Sequence, residues 1–176
     1  LFGNHNYENV MAAIAMTIEA GVPLNIIINV IKDFMGVEHR IEYVRDKNGV
    51  RYYNDSKGTN PDSSIKALEA MSRPTILIAG GYDKHSEFDE FIEAFDNKVK
   101  LMVLLGQTAD KIEETAVRHG FTNIIKTDSL EKAVKICAEN AVSGDVVLLS
   151  PACASWGMFK NYEERGKLFK EYVNSL

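Results

Sequence analysis

The chain has 176 residues, of which 45% are apolar and 26% charged, and its formal net charge is −5, so it can bury a core and form one domain plus an appendage. No basic cluster offers a nucleic-acid surface, and no apolar run approaches the roughly 20 residues of a membrane span. Four histidines and two cysteines at no metal-ligand spacing argue against a structural zinc site and fit reduced thiols.

The first elements read as helices, one from His5 to Ala20 stopped by Gly21 and one from Pro23 to Phe34 stopped before Gly36. With Leu1 in place of an initiator Met, this hairpin is expected to complete another domain, so residues 1–37 and 38–176 are assigned to different units. Arg40–Asp46 and Val50–Asp55 alternate around Lys47-Asn48-Gly49, a β-hairpin signal. Pro61 with Asp62-Ser63-Ser64 opens a helix. Strands over 75–79, 100–105, 123–126 and 145–149 then alternate with helices over about 87–96, 108–119, 129–142 and 162–174. That rhythm predicts an α/β fold with a doubly wound, mainly parallel, Rossmann-like sheet and helices on both faces. Cys137 falls on the apolar stripe of its helix with Leu130, Ala133 and Val134, a core position. Leu168, Phe169, Tyr172 and Val173 dock the last helix on the sheet.

Three polar segments follow strand-like runs. They are Asn54-Asp55-Ser56-Lys57-Gly58-Thr59-Asn60, Gly80-Gly81-Tyr82-Asp83-Lys84 and Ser150-Pro151-Ala152-Cys153-Ala154-Ser155. Any one of them reads equally as a polar turn. Open α/β sheets bind ligands beyond the carboxyl ends of their strands, so all three are expected on one rim, where lysines, hydroxyls and helix N–H groups suit an anion. Lys84 is either a site cation or a solvated loop lysine. Cys153 lies in the rim loop without the Cys/His spacing of a nucleophile. Asn6 and Asn9, with His5, cluster at a helix N-terminus, where amides suit adenine or ribose; Asn4 or Asn6 serves equally as a simple cap. No G-x-x-x-x-G-K-[ST] loop is present, so the chain has no Walker-type phosphate cradle of its own.

These three segments, with Gly3-Asn4-His5-Asn6-Tyr7-Glu8-Asn9 and Gly36-Val37-Glu38-His39-Arg40-Ile41-Glu42, resemble the Mur ligases of peptidoglycan synthesis. Five motifs in order cover nearly the whole chain. Asp55-Ser56-Lys57 favours the members that add D-glutamate over their sisters and over folylpolyglutamate synthase, whose loop lacks it. Gly58, His85 and Gly157 depart from the commoner Ala, Gly and Asp. The Gly58 change is expected to alter backbone freedom rather than chemistry, and His85 to be a surface histidine.

The resemblance implies an ATP-dependent amide ligase that joins D-glutamate to UDP-N-acetylmuramoyl-L-alanine through an acyl phosphate. Residues 1–37 would close the central ATP-binding domain, and 38–176 would bring the amino acid. His5, Asn6, Asn9, Arg40 and Asp55 would touch ATP, Arg40 at the phosphates and Asp55 either at the ribose or as a loop orienter. His39, beside Arg40, reads equally as a packed residue. Arg40 and Lys57 would act in catalysis. Lys57, Thr59, Lys84 and Ser155 would bind D-glutamate, with Tyr162, often Phe in the family, as a wall. Mg²⁺ ligands and the UDP-sugar site would lie in domains outside this chain, which alone should be inactive. The resemblance further implies a cytoplasmic monomer. The alternative from composition alone is a non-catalytic α/β module for a nucleotide or acidic ligand; the sequence upstream of Leu1 would separate the two.

Overall fold

The computed structural model describes residues 3–176, with the side chains of Asn4 and His5 outside the description. A helical hairpin of α1 (Asn4–Glu19) and α2 (Leu24–Asp33) precedes a six-stranded sheet. The strands are β1 (Glu42–Lys47), β2 (Val50–Asn54), β3 (Thr75–Ala79), β4 (Val99–Leu104), β5 (Ile124–Lys126) and β6 (Val146–Leu149), in the order β1-β2-β6-β3-β4-β5. β1 runs antiparallel to β2, and every other pairing is parallel. The β1–β2 turn uses Asn48 and Gly49 at φ 55° and 79°, the left-handed pair that a tight hairpin needs.

Five helices follow in the alternation: α3 (Pro61–Glu69), α4 (Asp89–Glu93), α5 (Ala109–Arg118), α6 (Leu130–Asn140) and α7 (Tyr162–Ser175). Successive side chains of a strand point to opposite faces, and the core divides accordingly. Leu77, Ala79, Met102, Leu104 and Leu148 pack with α3, α4 and α5 on one face. Ile76, Ile78, Val103, Val147 and Leu149 pack with α6 and α7 on the other. Cys137 is fully buried on α6, while Phe169 and Val173 anchor α7. The connection after β6 thus crosses to the opposite face from those after β2 and β3 that flank it, which opens a crevice at the carboxyl end of β6.

Most element bounds lie within two residues of the sequence expectation, and two departures have a visible cause. β1 begins at Glu42 rather than Arg40, because His39 and Ile41 take φ of 65° and 44° and curl the segment around the β2 loop. α4 spans only Asp89–Glu93 instead of 87–96, because Phe88, Phe91 and Phe95 stack edge to face and Asp96 and Asn97 then turn left-handed. The hairpin is thinly attached: within α1 and α2, Ile27 is the buried apolar side chain among the described residues, whereas Met11, Met16, Val30 and Phe34 stand exposed.

Candidate ligand site at the carboxyl rim of the sheet

Three loops meet beyond the ends of β2, β3 and β6. The Gly80 N–H donates to Pro151 O at 2.8 Å and Tyr82 N–H to Ala154 O at 2.9 Å, which zips the β3 loop to the β6 loop. Gly80 sits at φ +101° with Leu105 O where a β-carbon would be, so only glycine lets β3 turn this closely over β4. Asp55 joins the β2 loop to the same assembly. Its Oδ1 accepts from Ile41 N–H at 3.2 Å, and its Oδ2 lies 2.6 Å from Ser150 Oγ. Ser150 Oγ continues to Ser64 Oγ at 2.8 Å, and Ser64 Oγ accepts from Ala152 N–H at 3.0 Å. That last bond helps hold Ala152 at a φ of 57°, uncommon for a residue with a side chain.

A serine has one hydroxyl proton, so this chain has a direction. With Asp55 ionised, Ser150 donates to it and accepts from Ser64; with Asp55 protonated, the carboxyl donates to Ser150 and Ser150 to Ser64. Burial pushes the Asp55 carboxyl up to about 7, against hydrogen bonds from Ser150 and Ile41 and the charges of Arg40 and Arg165 that pull it down. Both oxygens face inward and tie the loops together. A β-carbon at Gly58 would strike Asp55 Oδ2, and Gly58 is not at positive φ, so the absent side chain makes room for this carboxylate. That corrects the expectation that Gly58 concerns backbone freedom.

Arg165 was not among the sequence candidates. It is 2% exposed on the first turns of α7 and donates from Nε to Ser56 Oγ at 3.0 Å, from Nη2 to Ser56 O at 2.8 Å and from Nη1 to Cys153 O at 3.1 Å. One buried fork thereby fixes the β2 loop against the β6 loop. Burial lowers its pKa to about 10, which leaves it charged at neutral pH. The available signal was its place on the apolar stripe of α7, four residues before Phe169. Asn54 also supports the loop: its Oδ1 accepts from Ser56 N–H at 3.1 Å, and its Nδ2 lies 2.9 Å from His39 Nδ1. Burial holds the His39 imidazole below its ordinary value, so neutral Nδ1 accepts from Asn54, and His39 is a packed residue. His85 is exposed.

The candidates fall into two groups. Asn6, Asn9, Arg40 and Lys57 line one cleft of about 460 Å³ between the hairpin and the β2 loop, with Val10, Ala13, Val30, Ile31, Phe34 and Val37 as its apolar walls. Arg40 and Lys57 also border a smaller recess of about 110 Å³ with Asp55, Gly58, Ser63 and Lys66, at the N-terminus of α3. The His5 side chain lies outside the described residues. Lys84 and Ser155 sit on the two zipped loops, two residues beyond Tyr82 and one beyond Ala154. Lys84 is exposed, with no ion pair or hydrogen bond at its amine among the described residues, and Ser155 is buried. Thr59 is half-buried, its N–H bonded to Lys57 O, and borders neither recess. Lys57 Nζ reaches Tyr162 Oη at 3.1 Å. Trp156 and Tyr82, their rings 5.5 Å apart and both exposed, stand at these loops; Tyr82 belongs to the Gly80-Gly81 segment, whereas nothing in the sequence pattern marked Trp156. Burial raises Cys153 to about 11, so it stays a thiol at neutral pH, bonded to Thr108.

Fold and rim together define a doubly wound α/β domain with cations, amides and hydroxyls gathered where such sheets bind ligands. Residues 39–153 match the family model described as Mur ligase, glutamate ligase domain, and the chain belongs to the Mur ligase family. It is 66% identical over 176 residues to the UDP-N-acetylmuramoylalanine--D-glutamate ligase of Lachnospira eligens, a match that takes in 100% of this chain and 39% of that protein. The enzyme of the same name from Lachnoclostridium phytofermentans is 61% identical, with the same coverage. The chain therefore spans about two fifths of the length of these relatives. Among solved structures, the UDP-N-acetylmuramate-alanine ligase of Thermotoga maritima shares the fold at a TM-score of 0.74 and 17% identity, over 99% of this chain and 39% of that one.

Proposed function

We propose that this chain is the amino-acid-binding part of an ATP-dependent ligase that adds D-glutamate to UDP-N-acetylmuramoyl-L-alanine in the cytoplasm. The observation that carries the reading is the pairing of two sites on one rim: an apolar cleft ending in two cations, and a zipped pair of loops bearing a free lysine. The names of the relatives at 66% and 61% identity point to D-glutamate as the acceptor.

In this reading the apolar walls of the cleft take the adenine, Asn6 and Asn9 meet its polar edge or the ribose, and Arg40 faces the phosphates. The guanidinium fork suits paired phosphate oxygens. Lys57, at the mouth of both recesses, stabilises negative charge as the acyl phosphate forms and as the amine displaces phosphate. Lys84, Ser155 and Thr59 receive the carboxylates of D-glutamate. Mg²⁺ is expected at the phosphates. The one group of metal-type donors gathered among the described residues, Glu38, His39 and Glu42, does not fit it, because Lys170 Nζ already lies 2.7 and 2.9 Å from the two carboxylates. We expect the metal ligands mainly outside this chain. No helix among the described residues is long and apolar enough to cross a membrane.

The test is a coupled assay of phosphate release by the full-length protein with ATP and UDP-N-acetylmuramoyl-L-alanine, offering D-glutamate, L-glutamate, D-aspartate and L-lysine in turn. Turnover with D-glutamate well above the others is expected. Equal turnover with all four, or none with D-glutamate, would refute the reading.

A further inference from the structure

Lys57 is held in an unusual way for a lysine at an anion site. Its Nζ donates to Tyr162 Oη at 3.1 Å and lies 4.9 Å from the centre of the same ring. The nearby carboxylate, Asp55, is turned inward to Ile41 and Ser150, and among the described residues no carboxylate lies within 4.0 Å of the amine. Glu164, two residues along α7, is engaged by the Lys160 N–H at 2.6 Å. The ammonium is thus fixed by a phenol that carries no charge.

Tyr162 is itself fixed. Its carbonyl accepts from Ser56 Oγ at 2.7 Å, Arg165 Nε donates to the same Ser56 Oγ at 3.0 Å, and the His39 ring packs edge-on against it at 6.1 Å. Asn161 caps the helix directly before it. The phenol therefore presents one defined position to a side chain that otherwise samples many rotamers. A carboxylate in its place would hold the ammonium more tightly, but would cancel its charge and repel an anionic substrate. A neutral acceptor orders the cation and leaves its charge for the ligand.

We infer that the Tyr162 hydroxyl is a positioning group for Lys57, holding its ammonium in place and undischarged until a substrate oxygen takes over the hydrogen bond. The inference rests on the reading of Lys57 as a site cation, and it assigns to Tyr162 a polar role beyond that of a wall. A phenylalanine at this place would keep the ring and the cation–π contact and lose only the hydrogen bond.

A double-mutant cycle on the full-length ligase tests it, using the parent, Tyr162→Phe, Lys57→Met and the double variant at saturating ATP with D-glutamate varied. Tyr162→Phe should lower kcat/KM about three- to tenfold when Lys57 is present, the size of one hydrogen bond, and less than about twofold in the Lys57→Met background. If Lys57→Met turns over too slowly for steady-state work, single-turnover phosphate release on the same four forms supplies the ratios. An equal loss in both backgrounds, or no loss in either, overturns the coupling. A Lys57→Met form with undiminished kcat/KM overturns the functional reading of Lys57 and this inference with it; the cycle separates the two failures by which variant is silent.

Discussion

Lys84 stands exposed on the β3 loop with no ionic partner among the described residues, so nothing competes for its charge when a carboxylate arrives. A charge-assisted contact of this kind contributes about 1.5–3 kcal/mol. Lys84→Ala should therefore lower kcat/KM for D-glutamate by roughly ten- to a hundredfold in the full-length ligase, with KM for ATP nearly unchanged. Ser155→Ala should act in the same direction more weakly, as a neutral donor does. Steady-state kinetics with each substrate varied in turn checks both, and an unchanged D-glutamate dependence would move the acceptor site away from the Gly80-Gly81 loop. Asp55 behaves in the opposite manner, since it is buried and its carboxyl is pushed up to about 7 from an ordinary 3.8. Its folded-state affinity for a proton exceeds its unfolded one, so its contribution to stability is greatest below pH 4 and is lost as pH rises through about 7. Thermal unfolding between pH 5 and 8 should show the parent losing stability relative to Asp55→Asn, whose neutral amide has no proton to lose. Parallel curves for the two forms would show that Asp55 does not titrate in this window.

At the scale of elements, α7 couples the loops through Arg165. Replacing that residue by Met keeps a long apolar stem but strands Ser56 O and Cys153 O, buried acceptors that the guanidinium now satisfies. Arg165 has no carboxylate within ion-pair distance among the described residues, so removing its charge relieves a desolvation cost and the net loss should be modest, about 1–3 kcal/mol in urea unfolding. Activity should fall for both ATP and D-glutamate, because both loops shift. The sheet elements are legible in the sequence, since apolar runs such as Thr75–Ala79 and Val146–Leu149 carry little ambiguity when helical periods separate them. The three loops are legible as polar punctuation after those runs. Arg165 is not, because its acceptors on Ser56 lie more than a hundred residues away, and its place on the apolar stripe of α7 marks burial without naming the groups it binds. The sequence overextends α4 for a related reason. Phe88, Phe91 and Phe95 have helical spacing, but their stacking is satisfied by one short helix followed by a left-handed turn at Asp96 and Asn97.

The whole molecule divides unequally between a closed α/β unit and the hairpin of α1 and α2. The sheet has helices on both faces and a continuous core on each, and its rim is tied by hydrogen bonds that do not involve residues 3–36. Among the described residues the hairpin contributes one buried apolar side chain, Ile27, and leaves Met35 95% exposed and Met16 74% exposed. Burial of one isoleucine is worth about 1.5–3 kcal/mol at most, small against the two-faced core. We propose that residues 38–176 are an independently folding domain and that the exposed face of the hairpin belongs against a neighbouring domain. Deleting residues 1–36 should leave a single cooperative unfolding transition, with Tm lowered by no more than about 5 °C. The deletion should at the same time abolish the cleft that the proposed function gives to the nucleotide, because α1 and α2 supply Asn6, Asn9 and most of its apolar wall. Calorimetry of the shortened and parent chains, read for the unfolding transition and for ATP binding, checks both consequences. Loss of cooperativity on deletion would mean that the hairpin is part of the core unit and that the boundary near residue 37 is misplaced.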